Sequence, residues 1–315
     1  MRFGSRYRRG PSGIGGEEVR RDSFSTFHPI VNFAYFFAVL AFGMIFAHPV
    51  LQAISLVSAV VYSVMLNGRK AIRFNLIYLL PMLLIMAVIN PLFNHAGVTI
   101  LFYFKNGNPV TLESILYGVS ASSMYVTVIV WFSCYNAVMT SDKFIYLFGK
   151  MMPALSLVFS MALRFVPRYK NRIKAISHAQ KCIGRDASQG SLRKRARNGI
   201  RILSVMTTWA MENAMETADS MKSRGYGLPN RTSFSTFRFD NRDKAVFAVM
   251  SCLIALVLAG AAAGENTIRF FPSIRLKEVS TFGIAVYVAY AALCLLPAAI
   301  QIVEDMKWKS IASKT

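Results

Sequence analysis

Charged residues are scarce in this sequence, and the few present are mostly of one sign. Only 16% of the 315 residues are charged, whereas a soluble domain of this length carries about a quarter. Hydrophobic residues make up 54%, and the formal net charge is +21. Because this apolar content can bury far more surface than ordering the chain costs, an intrinsically disordered protein is excluded. High apolarity with an excess of Lys and Arg favours a polytopic membrane protein whose basic loops face the cytoplasm.

Residues that bind metals or carry out catalysis are also few and dispersed. The four cysteines lack Cys-x-x-Cys spacing, so we interpret them as small apolar packing residues. The four histidines are scattered along the chain. The glycines near the N-terminus lack the Gly-Lys-Ser/Thr sequence that a phosphate-binding loop requires. The sequence therefore predicts no metal site and no cofactor bound by this chain.

Six apolar stretches approach or exceed the roughly 20 residues that a membrane-spanning helix needs. In residue numbers they cover approximately 30–47, 50–66, 72–89, 115–139, 245–263 and 282–303. Only His48 and Pro49 separate the first two, and because proline interrupts a helix, we predict a tight helical hairpin there.

The distribution of Lys and Arg predicts the orientation. The N-terminal segment and the loop Asn67–Arg73 are basic, whereas the His48-Pro49 turn is not. The positive-inside rule therefore predicts a cytoplasmic N-terminus, and six crossings return the C-terminus to the same side. We expect an all-α protein divided into a cytoplasmic tail (1–29), four transmembrane helices (30–140), a cytoplasmic module (141–243), two transmembrane helices (244–303) and a cytoplasmic tail (304–315).

Just over half of the basic residues lie in the predicted module, and two amphipathic helices are predicted there. In the first, from about Met161 to Ile183, Arg164, Arg168 and Arg172 follow one face at four-residue steps. The apolar stripe of the second comprises Ile200, Leu203, Met206 and Trp209. Small residues at four-residue spacing allow another helix to cross closely, and here they are Ala210, Ala214 and Ala218. The acidic side, which we expect to be solvated, carries Glu212, Glu216 and Asp219.

Both predicted helices end at a glycine with an arginine beside it. The first end is Gly184-Arg185-Asp186, and the second is Ser223-Arg224-Gly225. Glycine suits the left-handed turn that terminates helices, and arginine there faces the negative end of the macrodipole. The guanidinium is also well shaped to bind a carboxylate or backbone carbonyls of a partner. Two such ends on consecutive helices predict a pair of docking tips.

Beyond its N-terminal tail, the chain resembles the transmembrane T components of energy-coupling factor (ECF) transporters, which include the CbiQ-type cobalt transporter subunits. The most specific blocks are "SMALRFVPRYKNRIKAISHAQKCIGRD" and "ADSMKSRGYGLPNRTSFSTFRF". In this family they are two coupling helices, each ending in a motif centred on arginine, typically Ala-Arg-Gly or Ala-Arg-Ser. The resemblance assigns this role to Arg185 and Arg224, although Asp186 replaces the usual small residue.

The resemblance implies a scaffold that catalyses no reaction itself. Its coupling helices would cross in the cytoplasm, with their tips in grooves of two ABC-type ATPase subunits that bind ATP and magnesium. A separate small substrate-binding membrane protein, the S component, would contact the membrane helices in a prokaryotic cell membrane. Anionic lipids would contact basic residues such as Arg164 and Arg168. The resemblance implies import of a vitamin or a metal ion.

Two other functions fit part of the sequence. A membrane-anchored protein could bind nucleic acid or anionic lipid through its basic helices, but no aromatic interleaving or base-reading module accompanies the charge. An intramembrane lipid-modifying enzyme would need paired ionisable residues within its spans, and the apolar stretches are almost free of them. Neither accounts for the two arginine tips, so we predict no catalytic residue and no nucleic-acid partner.

Overall fold

The computed structural model describes residues 22–103, 109–149, 152–185, 187–226, 228, 237–264, 266–271, 275–276 and 280–312. Its helices confirm the predicted all-α polytopic membrane protein. The chain forms two compact units: Met1–Thr140 together with Phe239–Thr315, and Ser141–Arg238.

The first unit contains the membrane-length helices. In the described part of the chain, five are long and apolar enough to cross a bilayer. They are α2 (Pro49–Asn67), the run Arg69–Phe93 that comprises α3 (Arg69–Phe74), a π-helical turn and α4 (Leu80–Phe93), α5 (Leu112–Val138), α9 (Asn241–Ala262) and α10 (Thr281–Ala312). A shorter apolar helix, α1 (Pro29–Ile45), precedes them with 17 residues. It is about 26 Å long, close to the roughly 30 Å of a hydrocarbon core.

Proline marks the start of the first two helices. Pro29 and Pro49 each stand in the first turn, where the missing N–H would have no helical partner. His28, the residue before α1, accepts a hydrogen bond on Nδ1 from the backbone N–H of Ile30 at 3.3 Å. The predicted hairpin between α1 and α2 is confirmed, because only residues 46–48 connect them.

The third span, predicted over approximately residues 72–89, contains an irregular turn. Residues Asn75–Leu79 form a π-helical turn, and Pro81 follows in the first turn of α4. Proline has no N–H, so one hydrogen bond of the helical ladder is lost at Pro81, and its ring crowds the carbonyl four residues earlier. The wider π-helical turn accommodates Pro81 without ending the span.

The described residues of the predicted C-terminal tail are helical. Helix α10 continues to Ala312, so residues 304–312 extend the last membrane-length helix rather than leaving it. This stretch contains no glycine or proline, and Glu, Met and Lys are strong helix formers.

Two short hairpins interrupt the helical pattern within the described residues. Strand β1 (Ile100–Tyr103) pairs antiparallel with β2 (Pro109–Thr111), and β3 (Ile268–Arg269) pairs with β4 (Arg275–Leu276). The β1–β2 hairpin is tied to the start of α5, where the buried Glu113 accepts hydrogen bonds from the backbone N–H and hydroxyl of Thr99. Both hairpins lie between apolar stretches identified in the sequence, which predicted no strand there.

The core of the first unit is aromatic. Its largest fully buried side chains are Trp131, Tyr35, Tyr62 and Tyr290. The Trp131 indole N–H donates to Ser55 Oγ at 3.0 Å, and the Tyr35 hydroxyl donates to the Cys294 carbonyl at 3.0 Å. A bilayer offers no water to an unpaired polar group, so buried donors such as these need a partner within the protein. The two bonds join α5 to α2 and α1 to α10.

Part of the predicted N-terminal tail packs against this core. The Phe24 ring is completely buried, and the Ser23 N–H donates to Gln301 Oε1 on α10 at 2.7 Å. The Arg242 guanidinium at the start of α9 lies 4.2 Å from the centre of the Phe27 ring, a cation–π contact. Residues 22–28 therefore connect α1 with α9 and α10, whereas residues 1–21 lie outside the described residues.

The second unit contains α6 (Ser141–Gly149), α7 (Pro153–Cys182) and α8 (Leu192–Ser223). The two long helices confirm the predicted amphipathic pair, although α7 starts at Pro153 rather than near Met161. They contain 30 and 32 residues, which corresponds to about 45 and 48 Å of length.

Candidate functional site

The α7–α8 contact has a small apolar centre. Ile176 on α7 meets Ile202 and Met206 on α8, and all three are buried. Trp209, the next apolar residue along α8, packs beside them with Tyr169 in an edge-to-face arrangement at 5.5 Å. The contact therefore involves the C-terminal half of α7 and the middle part of α8 rather than the whole length of either helix.

Two arginines of α7 cover the Trp209 ring. The guanidinium carbon of Arg168 lies 5.6 Å from the ring centre, and that of Arg172 lies 5.1 Å from it. Both distances are typical of cation–π interactions. Arg168, which we expected to contact lipid, thus also contacts α8. Its proposed lipid contact, like that of Arg164, stays a prediction.

The apolar face of α8 lies at a different angle from the predicted one. Ile200 and Leu203 are exposed. The buried stripe instead comprises Asn198, Ile202, Met206 and Asn213. The prediction was wrong for the first two residues because it followed apolarity alone and passed over the two asparagines.

The predicted crossing residues lie at and beyond the end of this contact. Ala210 is half-buried, whereas Ala214 and Ala218 are exposed. Helix crossing at these alanines stays a prediction. The acidic residues on the same part of α8 are exposed, as predicted, and they are Glu212, Glu216 and Asp219. Among the described residues no group of three or more His, Cys, Asp or Glu is placed to hold a metal ion.

The end of α7 is a Schellman motif, a paired hydrogen-bond pattern that closes helix C-termini. Gly184 adopts a φ of 73°, in the left-handed region. Its N–H donates to the Lys181 carbonyl at 3.0 Å, and the Arg185 N–H donates to the Gln180 carbonyl at 2.9 Å. These two bonds satisfy carbonyls that the helix itself leaves unpaired. Arg185 is exposed, while Asp186 lies outside the described residues.

The end of α8 has the same construction. Gly225 adopts a φ of 77°. Its N–H donates to the Lys222 carbonyl at 3.0 Å, and the Tyr226 N–H donates to the Met221 carbonyl at 3.0 Å. The Ser223 hydroxyl donates to the Asp219 carbonyl at 2.9 Å, within the last turn. Arg224 is exposed on this end.

The matched hydrogen bonds show which residues of the two ends correspond. The five positions of the first end are Lys181, Cys182, Ile183, Gly184 and Arg185, and those of the second are Lys222, Ser223, Arg224, Gly225 and Tyr226. Arg224 precedes its glycine, whereas Arg185 follows its own. The two predicted arginines therefore occupy different positions, and Ile183 stands where the second end has Arg224.

An alignment of the two ends on their arginines hides this correspondence. A usable signal was present, since Lys181 and Gly184 have the same spacing as Lys222 and Gly225. The glycines set the backbone conformation, and an alignment on them pairs Ile183 with Arg224 and Arg185 with Tyr226.

Comparison with known proteins gives two findings. The family model for the cobalt transport protein CbiQ matches residues 23–234. Curated relatives include the energy-coupling factor transporter transmembrane protein EcfT of Bacillus selenitireducens, 37% identical over 106 residues, and that of Lactobacillus helveticus, 34% identical over 105 residues. The two alignments cover 33% of this chain and 40% or 38% of the relative. The chain thus spans about two fifths of the length of the curated relatives it matches.

Proposed function

The chain belongs to the CbiQ family of cobalt transport proteins, and we propose that it is the transmembrane scaffold of an ATP-driven ECF-type importer. In this proposal two ABC-type ATPase subunits, which bind ATP and magnesium, dock on the ends of α7 and α8. A small substrate-binding membrane protein binds the membrane helices. The scaffold transmits the ATPase movement to that protein, and the imported substrate is a vitamin or a metal ion.

The observation that supports the proposal most strongly is the pair of exposed, glycine-capped helix ends. A long helix that ends in a Schellman motif keeps its last turn closed, because the terminal carbonyls are hydrogen-bonded. Such an end presents its side chains on a fixed backbone. A force applied to it is transmitted along the helix instead of unwinding the final turn. We place this pair in a cytoplasmic module over 141–243, with both chain termini on the same side.

Arg224 is the residue on which the docking proposal most depends. It is exposed at the capping position of α8, immediately before Gly225. A guanidinium donates up to five hydrogen bonds and pairs with a carboxylate in a two-pronged geometry. We therefore propose that an acidic groove of one ATPase subunit receives Arg224, with Ser223 and Gly225 holding it in place. Gly184, Arg185 and Asp186 belong to the corresponding contact at the end of α7.

The test is recovery of ATPase subunits with the full-length chain, purified from its native membrane in mild detergent. Arg224→Ala should reduce the recovered ATPase about tenfold or more, because removing one member of a desolvated charge pair costs over 2 kcal/mol. Arg193→Ala, which removes an exposed arginine from the other end of α8, is the matched control. Wild-type recovery in the Arg224 variant would contradict the proposal. Mass spectrometry of the same complex identifies the small membrane partner and hence the substrate class.

A further inference from the structure

The correspondence between the two helix ends has a consequence for their partners. We propose that Ile183, rather than an arginine, is the docking residue at the capping position of α7, and that the two ends therefore bind chemically different surfaces. The surface that receives α8 is acidic and the surface that receives α7 is apolar at the equivalent point. This inference rests on the proposed function, because it takes the partners to be the two ATPase subunits.

The first step is that the two ends have the same backbone. Ile183 has φ −97° and ψ 21°, and Arg224 has φ −88° and ψ 9°. Each is followed by a glycine in the left-handed region and preceded, two positions earlier, by a lysine. Side chains at matched positions therefore leave the helix end from the same place. The difference between the ends is one of chemistry rather than of shape.

The second step is that Ile183 is available to a partner. Its side chain is 59% exposed, although isoleucine is among the residues most often buried in proteins. The apolar contact between α7 and α8 is centred on Ile176, two helical turns before Ile183, and on Ile202 and Met206 of α8. Ile183 therefore takes no part in the small core that joins the two helices.

The third step is that one kind of groove cannot serve both ends. A carboxylate placed to pair with Arg224 would lose its solvation against Ile183 without gaining a hydrogen bond. An apolar groove shaped for Ile183 would in turn bury the Arg224 guanidinium unpaired. The position after the glycine differs as well, since Arg185 stands where the other end has Tyr226. A surface complementary to one end is therefore mismatched to the other at two positions.

It follows that the two ATPase subunits differ in their receiving grooves, and two copies of one polypeptide would not meet this requirement. The capping residue also determines which subunit each helix end selects. A mismatched pairing leaves an unpaired charge in the contact, which is a common source of specificity between related partners.

Cross-linking from the two ends tests this directly. Cys182 and Ser223 occupy the same position, the last residue of each helix, and both are exposed. The other exposed cysteine is Cys252, whereas Cys134 and Cys294 are buried. In a Cys252→Ala background a thiol-reactive benzophenone therefore attaches at Cys182. Adding Cys182→Ser and Ser223→Cys moves the same probe to α8.

The experiment uses the full-length chain in its complex with the ATPases, illuminated in native membranes. We expect the probe on α7 and the probe on α8 to cross-link two different ATPase polypeptides. One polypeptide cross-linked from both ends would overturn the inference, and so would cross-linking from α8 alone. If no ATPase is cross-linked from either end and none is co-purified, the proposed function fails instead.

Substitutions at Ile183 supply the second test. Ile183→Asp should lower cross-linking from α7 about tenfold, because it places a charge against an apolar surface. Ile183→Leu should keep most of it, and Arg185→Ala should lower it less than Ile183→Asp does. Cross-linking from α8 in the same variants reports that the protein is folded and assembled. A loss with Arg185→Ala and none with Ile183→Asp would assign docking to Arg185 and refute the role of Ile183.

Discussion

Trp209 takes part in several of the described contacts between α7 and α8. It touches the apolar centre and Tyr169, and it lies under the guanidinium groups of Arg168 and Arg172. Each cation–π contact at a partly exposed site contributes about 0.5–1 kcal/mol. Truncation to alanine also removes buried aromatic area, which adds to the loss.

We expect Trp209→Ala to loosen α8 on α7 and to raise the rate of backbone hydrogen exchange in residues 202–213 severalfold. Trp209→Phe should have a smaller effect, because phenylalanine keeps an aromatic face but forms weaker cation–π contacts. Met211→Ala, two residues further on and strongly exposed, is the control for a general change in helicity. Equal exchange in the Trp209→Ala and Met211→Ala proteins would show that the ring does not join the helices.

His48, in the turn between α1 and α2, is the residue whose protonation the fold opposes. It is buried, its Nδ1 lacks a hydrogen-bond partner among the described atoms, and its Nε2 lies 3.4 Å from the Tyr287 hydroxyl. Burial lowers the pKa of His48 below its ordinary value of 6.5, because the charged form would lose its hydration. The unfolded chain therefore binds a proton at a higher pH than the folded protein does.

The stability that neutral His48 provides is complete above pH 6.5 and is lost as the pH falls from there through the lowered pKa. We expect the thermal unfolding midpoint of the wild-type protein in detergent to decrease as the pH is lowered from 7.5 to about 5. His48→Gln, which cannot be charged, should show a shallower fall over the same interval. Parallel curves for the two proteins would mean that His48 does not contribute to this pH dependence.

At the scale of the helices, α9 packs tightly against α10 at Gly260. A methyl group added at Gly260 would lie 2.5 Å from Val286 Cγ2 and 2.7 Å from its Cγ1. Because a β-branched side chain in a helix has one strongly preferred rotamer, Val286 cannot turn away, and the helices would have to separate. Gly43 in α1 differs, since an added methyl group there has no other atom within 4 Å.

We therefore expect Gly260→Ala to destabilise the protein by about 1–3 kcal/mol, the usual effect of overpacking. Gly43→Ala should leave stability unchanged or raise it by up to about 1 kcal/mol, because alanine is the better helix former. Thermal midpoints of the two variants in the same detergent provide the comparison. A lower midpoint for Gly43→Ala than for Gly260→Ala would contradict the conclusion that Gly260 is crowded and Gly43 is not.

At this scale the sequence predicted the elements well and their irregularities poorly. Apolar length locates the spans, because any helix that crosses a bilayer must satisfy its backbone internally. The π-helical turn before Pro81 and the extension of α10 to Ala312 depend on local backbone geometry, which hydropathy does not record. The face of α8 depends on two buried asparagines, Asn198 and Asn213, whose burial no apolar pattern indicates. The register of the helix ends likewise depends on backbone hydrogen bonds around Gly184 and Gly225.

For the whole molecule, differences in composition along the chain distinguish the two units. The apolar spans fall in the first unit and the long basic helices in the second. The predicted boundary at residue 141 coincides with the start of the second unit, whereas the end predicted at 243 lies inside α9. Asp240 and Asp243 form a capping box at the start of α9, so these two residues of the predicted module begin the next helix instead.

Orientation in the membrane is the remaining property of the whole chain that sequence alone predicts. The turn at Ala47 lacks basic residues, whereas α3, which begins directly after Gly68, carries Arg69, Lys70 and Arg73. The positive-inside rule predicts that the first lies outside the cell and the second in the cytoplasm, together with Lys309 near the end of α10. Each of Ala47, Lys70 and Lys309 is exposed and suits replacement by cysteine.

In a Cys182→Ser, Cys252→Ala background, a membrane-impermeant maleimide should label Ala47→Cys in intact cells. Lys70→Cys and Lys309→Cys should be labelled only after the membrane is permeabilised, because the reagent cannot cross an intact bilayer. Labelling of all three after permeabilisation controls for accessibility of each thiol. If Lys309→Cys were labelled in intact cells while Lys70→Cys was not, the chain between these two residues would cross the membrane an odd number of times. In that case the four membrane-length helices of this stretch, the run Arg69–Phe93, α5, α9 and α10, would not all span the bilayer.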